Sequence, residues 1–274
     1  MAEDPTLNGS PLCALVTGAS RGVGRGIAEA LGEIGARVYL TGRDERALAA
    51  AAASVDALGG LGVALPCDHR EDAQTEAVFA RIEREAGGLD LLVNNAWGGY
   101  ERMVESGVFV WERPFFEQPL ERFDAMFAGG VRAAYAASRL AARSMVERRR
   151  GLIVNVSFWA ARKYIANAAY GIAKAATDRL TADSAHELAR FGVTVVSLYP
   201  GLVRTERVME AAAHLDLRNS ESPRFTGRAV AALLGDPDVE RLTGRALVVA
   251  ELAGAYGFTD VDGSRPRPLT LEDV

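Results

Sequence analysis

Ser157, Tyr170 and Lys174 are, in that order, side chains of the kind that a carbonyl–alcohol interconversion requires. Reducing a carbonyl takes a hydride donor, a proton donor and a group that holds the oxygen as negative charge develops on it. A phenol with an ordinary pKa of about 10 exchanges protons poorly near neutrality, and a neighbouring ammonium favours the phenolate and brings that value down. The stretch AYGIAK, Ala169 to Lys174, sets Tyr170 and Lys174 one helical turn apart, so phenol and ammonium share a face. Lysine suits this task better than arginine, being a compact point charge that also reaches ribose hydroxyls. Ser157 closes an apolar run and would donate a hydrogen bond to the substrate oxygen. Of the 31 lysines and arginines only two, Lys163 and Lys174, are lysine. With seven tyrosines, chance alone still places a lysine four residues after one of them roughly 5% of the time, so the spacing needs support from elsewhere.

That support comes from TGASRGVGRGIA. Gly18, Ser20, Arg21, Gly22, Val23 and Gly24 make a glycine turn between a strand and a helix, where bare backbone approaches a pyrophosphate and the helix N-terminus offers free N–H groups. The same residues spell G-x-S-x-G around Ser20, the pattern of a hydrolase nucleophile elbow. Only 19 residues and one strand precede Ser20, too little to supply the oxyanion loop that such an elbow needs. For NAD, an acidic residue is expected near the end of the second strand. That place holds Thr41-Gly42-Arg43, with no carboxylate before Asp44. Arg21 and Arg43 would clamp a 2′-phosphate through charge-assisted hydrogen bonds, so NADP is expected in preference to NAD; ordinary surface arginines are the other reading. Asp68, at the end of the third strand, would accept from the adenine amino group or simply cap the strand.

These residues need a scaffold, and the sequence predicts one. LCALVTG (Leu12 to Gly18), RVYLTG (Arg37 to Gly42), GVALPCD (Gly62 to Asp68), LDLLVNN (Leu89 to Asn95), LIVNVS (Leu152 to Ser157), VTVVSLYPG (Val193 to Gly201) and RALVVA (Arg245 to Ala250) are continuously apolar, as strands covered on both faces are. Helices are predicted between them over Gly24–Gly35, Glu45–Leu58, Asp72–Glu85, Leu120–Glu147 and Ala168–Arg190. The alternation specifies an α/β fold, a doubly wound parallel sheet in one domain spanning residues 1–274. Segments 97–119 and 202–223 break the alternation after strands four and six. They leave the carboxyl edge of the sheet and are expected to wall the substrate pocket.

The net charge of −5 excludes an electrostatic grip on nucleic acid or anionic lipid. The one basic run, Arg148-Arg149-Arg150, is expected as a solvated helix end. Cys13 and Cys67 lie in apolar runs and read as small hydrophobes, which fits a reducing cytoplasm. His69, His186 and His214 are too scattered for a local zinc motif and are expected at surface or helix-face positions; no metal is expected. MAEDPTLNGSPL lacks the marks of a secretory signal, and no run is long enough to span a membrane.

TGASRGVG, Asn94-Asn95-Ala96 after the fourth strand, Ser157, Tyr170-x-x-x-Lys174 and Pro200-Gly201 together resemble the short-chain dehydrogenase/reductase family, from about Leu12 to Ala250. The resemblance implies a Rossmann-type sheet of seven strands in order 3-2-1-4-5-6-7, NAD(P)-dependent carbonyl–alcohol chemistry, and a homodimer or homotetramer. It implies Tyr170 as acid/base, Lys174 as its activator and ribose ligand, and Ser157 as oxyanion partner. Asn95, Pro200, Gly201, Val203 and Thr205 would line the cofactor. PFFEQP, AYGIAKAATDRLTADSAHELARFGVTVVSLYPG and AYGFTDVDG are similar to the branch called dehydrogenase/reductase member 1, associated with NADPH-dependent reduction of steroid and xenobiotic carbonyls. Mammalian members of that branch continue into apolar, membrane-type sequence without a counterpart here, so no membrane association is expected.

Two positions depart from the family pattern. Trp97 stands where most members have glycine, and Gly130 stands where the family has an asparagine whose backbone carbonyl holds a water touching the lysine. Gly130 keeps the carbonyl and loses the side chain that steadies the helix. Trp97, Trp111 and Trp159, with Tyr100, Phe115, Phe116, Phe158 and Tyr164, suggest a pocket for a bulky apolar ketone or aldehyde, or else packing within the core or between subunits. A non-catalytic NADP-binding regulatory protein on the same fold is the alternative function.

Overall fold

The computed structural model describes residues 6–7, 10–101, 103–105, 108–210 and 212–274. Its centre is one parallel sheet of seven strands: β1 (Cys13–Val16), β2 (Arg37–Gly42), β3 (Leu61–Pro66), β4 (Leu91–Asn94), β5 (Gly151–Val156), β6 (Val193–Tyr199) and β7 (Ala246–Val248). They lie in the order 3-2-1-4-5-6-7, as expected. Parallel neighbours need crossovers, which here carry α1 (Gly22–Glu33), α2 (Glu45–Ala57), α3 (Asp72–Ala86), α4 (Leu120–Met126), α5 (Ala133–Arg148), α6 (Ala168–Leu188), α7 (Glu206–Glu210) and α8 (Pro223–Leu234); α9 (Val249–Tyr256) follows β7.

The unbroken apolar runs are explained by the two cores. Ala14, Val16, Val38, Leu40, Leu91, Val93, Leu152 and Val154 pack with Ile27, Leu31, Leu48, Phe225 and Leu252 of α1, α2, α8 and α9. Their alternates Cys13, Leu15, Tyr39, Leu92 and Ile153 pack with Val78, Ile82, Ala137 and Ala185 of α3, α5 and α6. Successive strand residues point to opposite faces, so a strand with helices on both sides has no solvent face to make polar. β3 is the exception: it is an edge strand, and Leu61 is 46% exposed.

Several expectations change. The helix predicted over Leu120–Glu147 is interrupted by a π turn at Phe127–Arg132. Gly129 and Gly130 are poor helix formers, and the segment after β4 packs against the backbone they leave bare. β7 stops at Val248 because Val249 and Ala250 begin α9. The basic run does end α5 with Arg149 exposed, and Arg148 and Arg150 bind Asp90 at 2.9 and 3.3 Å. His69 is a correction: it is buried between Thr41 Oγ1 (2.7 Å) and Thr75 Oγ1 (3.2 Å). Burial pushes its imidazole down to about 4. His186 is exposed, whereas the side chain of His214 and residues 1–5, 8 and 9 of the N-terminal stretch lie outside the described residues. Both thiols are buried, and burial pushes that of Cys67 up to about 11.

Candidate active site

The glycine turn is strapped to β4. After β1 the chain turns at Gly18, with φ at 65°, and again at Gly22, with φ at 57°, conformations that favour glycine. The Asn95 amide donates to the carbonyls of Thr17 and Gly18 at 3.0 Å each. A Cβ on Gly24 would lie 2.4 Å from both that amide nitrogen and the Gly18 oxygen. Gly24 is therefore glycine to let the strap close, and Asn95 braces the turn as well as lining the cleft beside it.

That cleft has a volume of about 540 Å³ and is lined by Gly18, Ser20, Arg21, Gly22, Val23, Arg43, Asp68, Asn95 and Thr205, among others. Gly24, Tyr170, Lys174, Pro200, Gly201 and Val203, expected beside the cofactor, do not line it. Gly24 lies under the turn. Val203 pairs with Glu221 in a two-residue parallel ladder, and the main-chain N–H of Gly201 is bonded to the Glu221 carboxyl. Glu221 is buried, and burial raises its carboxyl to about 7. Nothing in its sequence setting signals that role.

The charges around the cleft suit an anion. The N–H of Gly22 at the start of α1 donates to both Glu206 oxygens, at 3.1 and 3.4 Å, so a carboxylate already faces this helix N-terminus. Arg43 pairs with Glu101 at 3.3 Å on the exposed rim. Arg70, missed in the sequence, also lines the cleft and binds both Asp68 oxygens through Nε at 2.9 and 3.0 Å. That contact holds the Asp68 carboxyl below its ordinary range.

Ser157, Tyr170 and Lys174 do come together, behind the inner wall of the cleft. Asn167 caps α6 by accepting from Tyr170 N at 3.1 Å, which places Tyr170 in the first turn and Lys174 one turn on. The second Asn167 contact, to the Trp111 carbonyl at 2.9 Å, ties that cap to the segment 97–119. Ser157 follows β5 directly, and its hydroxyl donates to the Lys174 carbonyl at 3.4 Å. Tyr170 and Lys174 are 9% and 6% exposed.

Aromatic rings enclose the phenol. Trp111, Trp97, Tyr100 and Phe158 have ring centroids 5.5, 5.8, 6.2 and 6.4 Å from that of Tyr170. The Tyr100 hydroxyl lies close enough to that of Tyr170 for each to act on the other's ionisation. Lys174 Nζ donates to the Val156 carbonyl at 3.1 Å and stands 3.8 Å from the centroid of the Trp97 ring. Burial pushes the ammonium down to about 7, against the pull of Asp178. The Tyr170 hydroxyl is raised well above its ordinary value, first by burial and then by Tyr100. The expectation of a lowered phenol is thus not met in this arrangement, because desolvation opposes every charge at once.

The remaining aromatic positions divide. Trp159 packs on Tyr199 at 5.2 Å in a separate cluster. Phe115, Phe116 and Tyr164 are exposed. Of these eight aromatic residues, Trp97, Tyr100, Trp111 and Phe158 surround the phenol, so the wall they make is smaller than the sequence suggested.

The family model described as short chain dehydrogenase matches residues 12–216. The chain belongs to that family. It is an oxidoreductase of the short-chain dehydrogenase/reductase type, acting between CH–OH and C=O groups, and the family works with NAD(P). Dehydrogenase/reductase SDR family member 1 of Mus musculus is 41% identical over 263 residues, covering 91% of this chain and 83% of that protein. The 3-oxoacyl-(acyl-carrier-protein) reductase FabG of Vibrio cholerae is 33% identical, covering 86% and 94%. A solved short-chain type dehydrogenase/reductase from Mycobacterium marinum superposes with a TM-score of 0.74 at 28% identity, over 87% of this chain and 94% of that one. Among the described residues no helix is long and apolar enough to cross a membrane.

Proposed function

We propose that the protein is an NADPH-dependent carbonyl reductase whose reacting groups are Ser157, Tyr170 and Lys174. The observation that carries this is the buried Tyr170–Lys174 pair on one face of α6, set against Ser157 at the end of β5 and adjoining the cleft over the glycine turn. The cleft fits a dinucleotide, because its helix N-terminus already holds a carboxylate at the Gly22 N–H and its rim carries cationic groups. Gly18, Ser20, Arg21, Gly22, Val23, Asn95 and Thr205 would hold the cofactor. Pro200, Gly201 and Val203 support it from behind. Arg21 and Arg43, with Arg70 beside them, favour NADPH over NADH by supplying positive charge for the 2′-phosphate, for which Arg43 and Arg70 would exchange their pairing with Glu101 and Asp68.

A nicotinamide bound in the cleft would supply the hydride. Tyr170 protonates the developing alkoxide, Ser157 donates to the same oxygen, and Lys174 stabilises the phenolate left behind. A carbonyl oxygen that reaches Tyr170 takes the place of the Tyr100 hydroxyl. The rings of Trp97, Tyr100, Trp111 and Phe158 exclude water and favour a bulky apolar ketone or aldehyde. One catalytic domain over residues 1–274, with the 97–119 and 202–223 segments as its substrate walls, would work as a cytoplasmic homodimer or homotetramer.

The test is NADPH oxidation over a panel of carbonyls, with wild type against Tyr170→Phe. Loss of at least a thousandfold in kcat is expected for the variant; equal rates defeat the proton-donor assignment. Absence of turnover in both, with tight NADPH binding, favours the regulatory alternative. Fast turnover confined to small polar keto acids defeats the apolar pocket. Arg43→Ala should raise the KM for NADPH and leave that for NADH unchanged, and an equal rise for both refutes the 2′-phosphate role.

A further inference from the structure

Trp97 touches two residues that explain its presence. Its benzo ring lies against the backbone of Gly130, where an added Cβ would come within 2.7 Å of Cε3 and 2.8 Å of Cζ3. Real side chains do not approach so closely, so any residue other than glycine at 130 displaces the indole. Gly130 lies within the π turn at Phe127–Arg132, and its carbonyl accepts the Ala133 N–H. The carbonyl is thus engaged within the helix, and the indole fills the space beside it. The same indole offers its face to the Lys174 ammonium, 3.8 Å from ring centroid to Nζ, and meets the Tyr170 ring edge-on at 89°.

Lys174 needs such a neighbour. Among the described residues its ammonium has one hydrogen-bond acceptor, the Val156 carbonyl. The titratable groups around it are Tyr170 and Asp178 on α6, Tyr100 through Tyr170, and Tyr199 from β6 through its bond to Asp178. A desolvated cation over an indole face gains on the order of tenfold in its charged-to-neutral ratio.

We propose that Trp97 is a positioning residue for Lys174, and that position 130 is glycine so that the indole can lie there. Both departures from the family pattern are then one change: bulk has moved from position 130 to position 97, across a single contact. The proposal rests on the reading of Lys174 as the partner of Tyr170, and it adds that the charge and place of the lysine depend on an aromatic face.

The experiment is a double-mutant cycle with Trp97→Gly, Gly130→Asn and the pair together, read by unfolding without cofactor and by calorimetric titration with NADPH. Gly130→Asn alone should weaken NADPH binding by about tenfold and lower the unfolding midpoint. In the Trp97→Gly background the same change should be neutral or restorative. Equal damage in both backgrounds overturns the pairing. A second arm compares Trp97→Phe, which keeps a π face, with Trp97→Leu, which keeps only bulk. Relative to phenylalanine, leucine should lower the folding constant several-fold more at pH 6 than at pH 9, and that difference should vanish on a Lys174→Met background. A difference that is absent, or that survives Lys174→Met, overturns the lysine assignment. Both arms are read without turnover, so an inactive wild type would defeat the proposed function and leave this inference to stand or fall by itself.

Discussion

Replacing Lys174 by methionine should make the protein more stable at acidic pH while removing its activity. Burial brings the lysine from an ordinary 10.5 down to about 7. A folded pKa below the unfolded one means that the unfolded chain binds more protons between those values, so wild-type stability rises with pH across the window from about 7 to 10.5. Below the folded value the whole difference opposes folding, about 5 kcal/mol. At pH 9 the residual opposition is about 2 kcal/mol, so the linkage between pH 6 and pH 9 is about 3 kcal/mol. Methionine keeps the stem volume and abolishes the linkage. It also forfeits the 3.1 Å bond to the Val156 carbonyl and the contact with Trp97, together about 2 kcal/mol. Net stabilisation at pH 6 should therefore be about 2 to 3 kcal/mol, falling to near zero at pH 9. Urea unfolding of both proteins at the two pH values gives the difference directly, and contributions from other titrating groups cancel between them. A Lys174→Met advantage that does not shrink as pH rises would refute the reasoning, as would a variant less stable than wild type at pH 6.

Two further outcomes follow from the same geometry. Glu206→Gln removes the negative charge facing the Gly22 N–H and should tighten NADPH binding by about three- to fivefold at low salt, an exposed-charge effect that fades as ionic strength rises; weaker binding in a calorimetric titration would show that the carboxylate assists the cofactor. Gly26→Ala places a Cβ 2.2 Å from the Pro223 carbonyl carbon, where α1 crosses α8. It should cost about 2 to 4 kcal/mol in chemical unfolding, and an unchanged midpoint would mean that the two helices separate freely.

The sequence by itself determined the strands of the sheet, the helices that cross between them and the placing of Tyr170 one helical turn before Lys174, while the strand order was implied by the family resemblance. Alternate residues of each apolar run had to satisfy two separate cores, so the runs announced strands covered on both faces, and the gap lengths demanded crossover helices. The Tyr170–Lys174 spacing survives folding because one turn of a helix is a local distance, and Asn167 beside it supplies the cap that starts the helix. The tertiary structure decided everything that depends on contact between distant segments. Burial of His69 depends on Thr41 and Thr75, and the carboxylate at Gly22 comes from a residue 184 positions away. Trp159 and Trp97 look alike in sequence, yet one packs against Tyr199 and the other lies beneath the ammonium of Lys174. The sign of the Tyr170 shift was likewise invisible, since a nearby charge can be read from spacing while desolvation is set by how many segments close over a group. Gly130 shows the limit most plainly: next to Gly129 in a helix it reads as a defect, and only the indole lying against its backbone makes it a requirement.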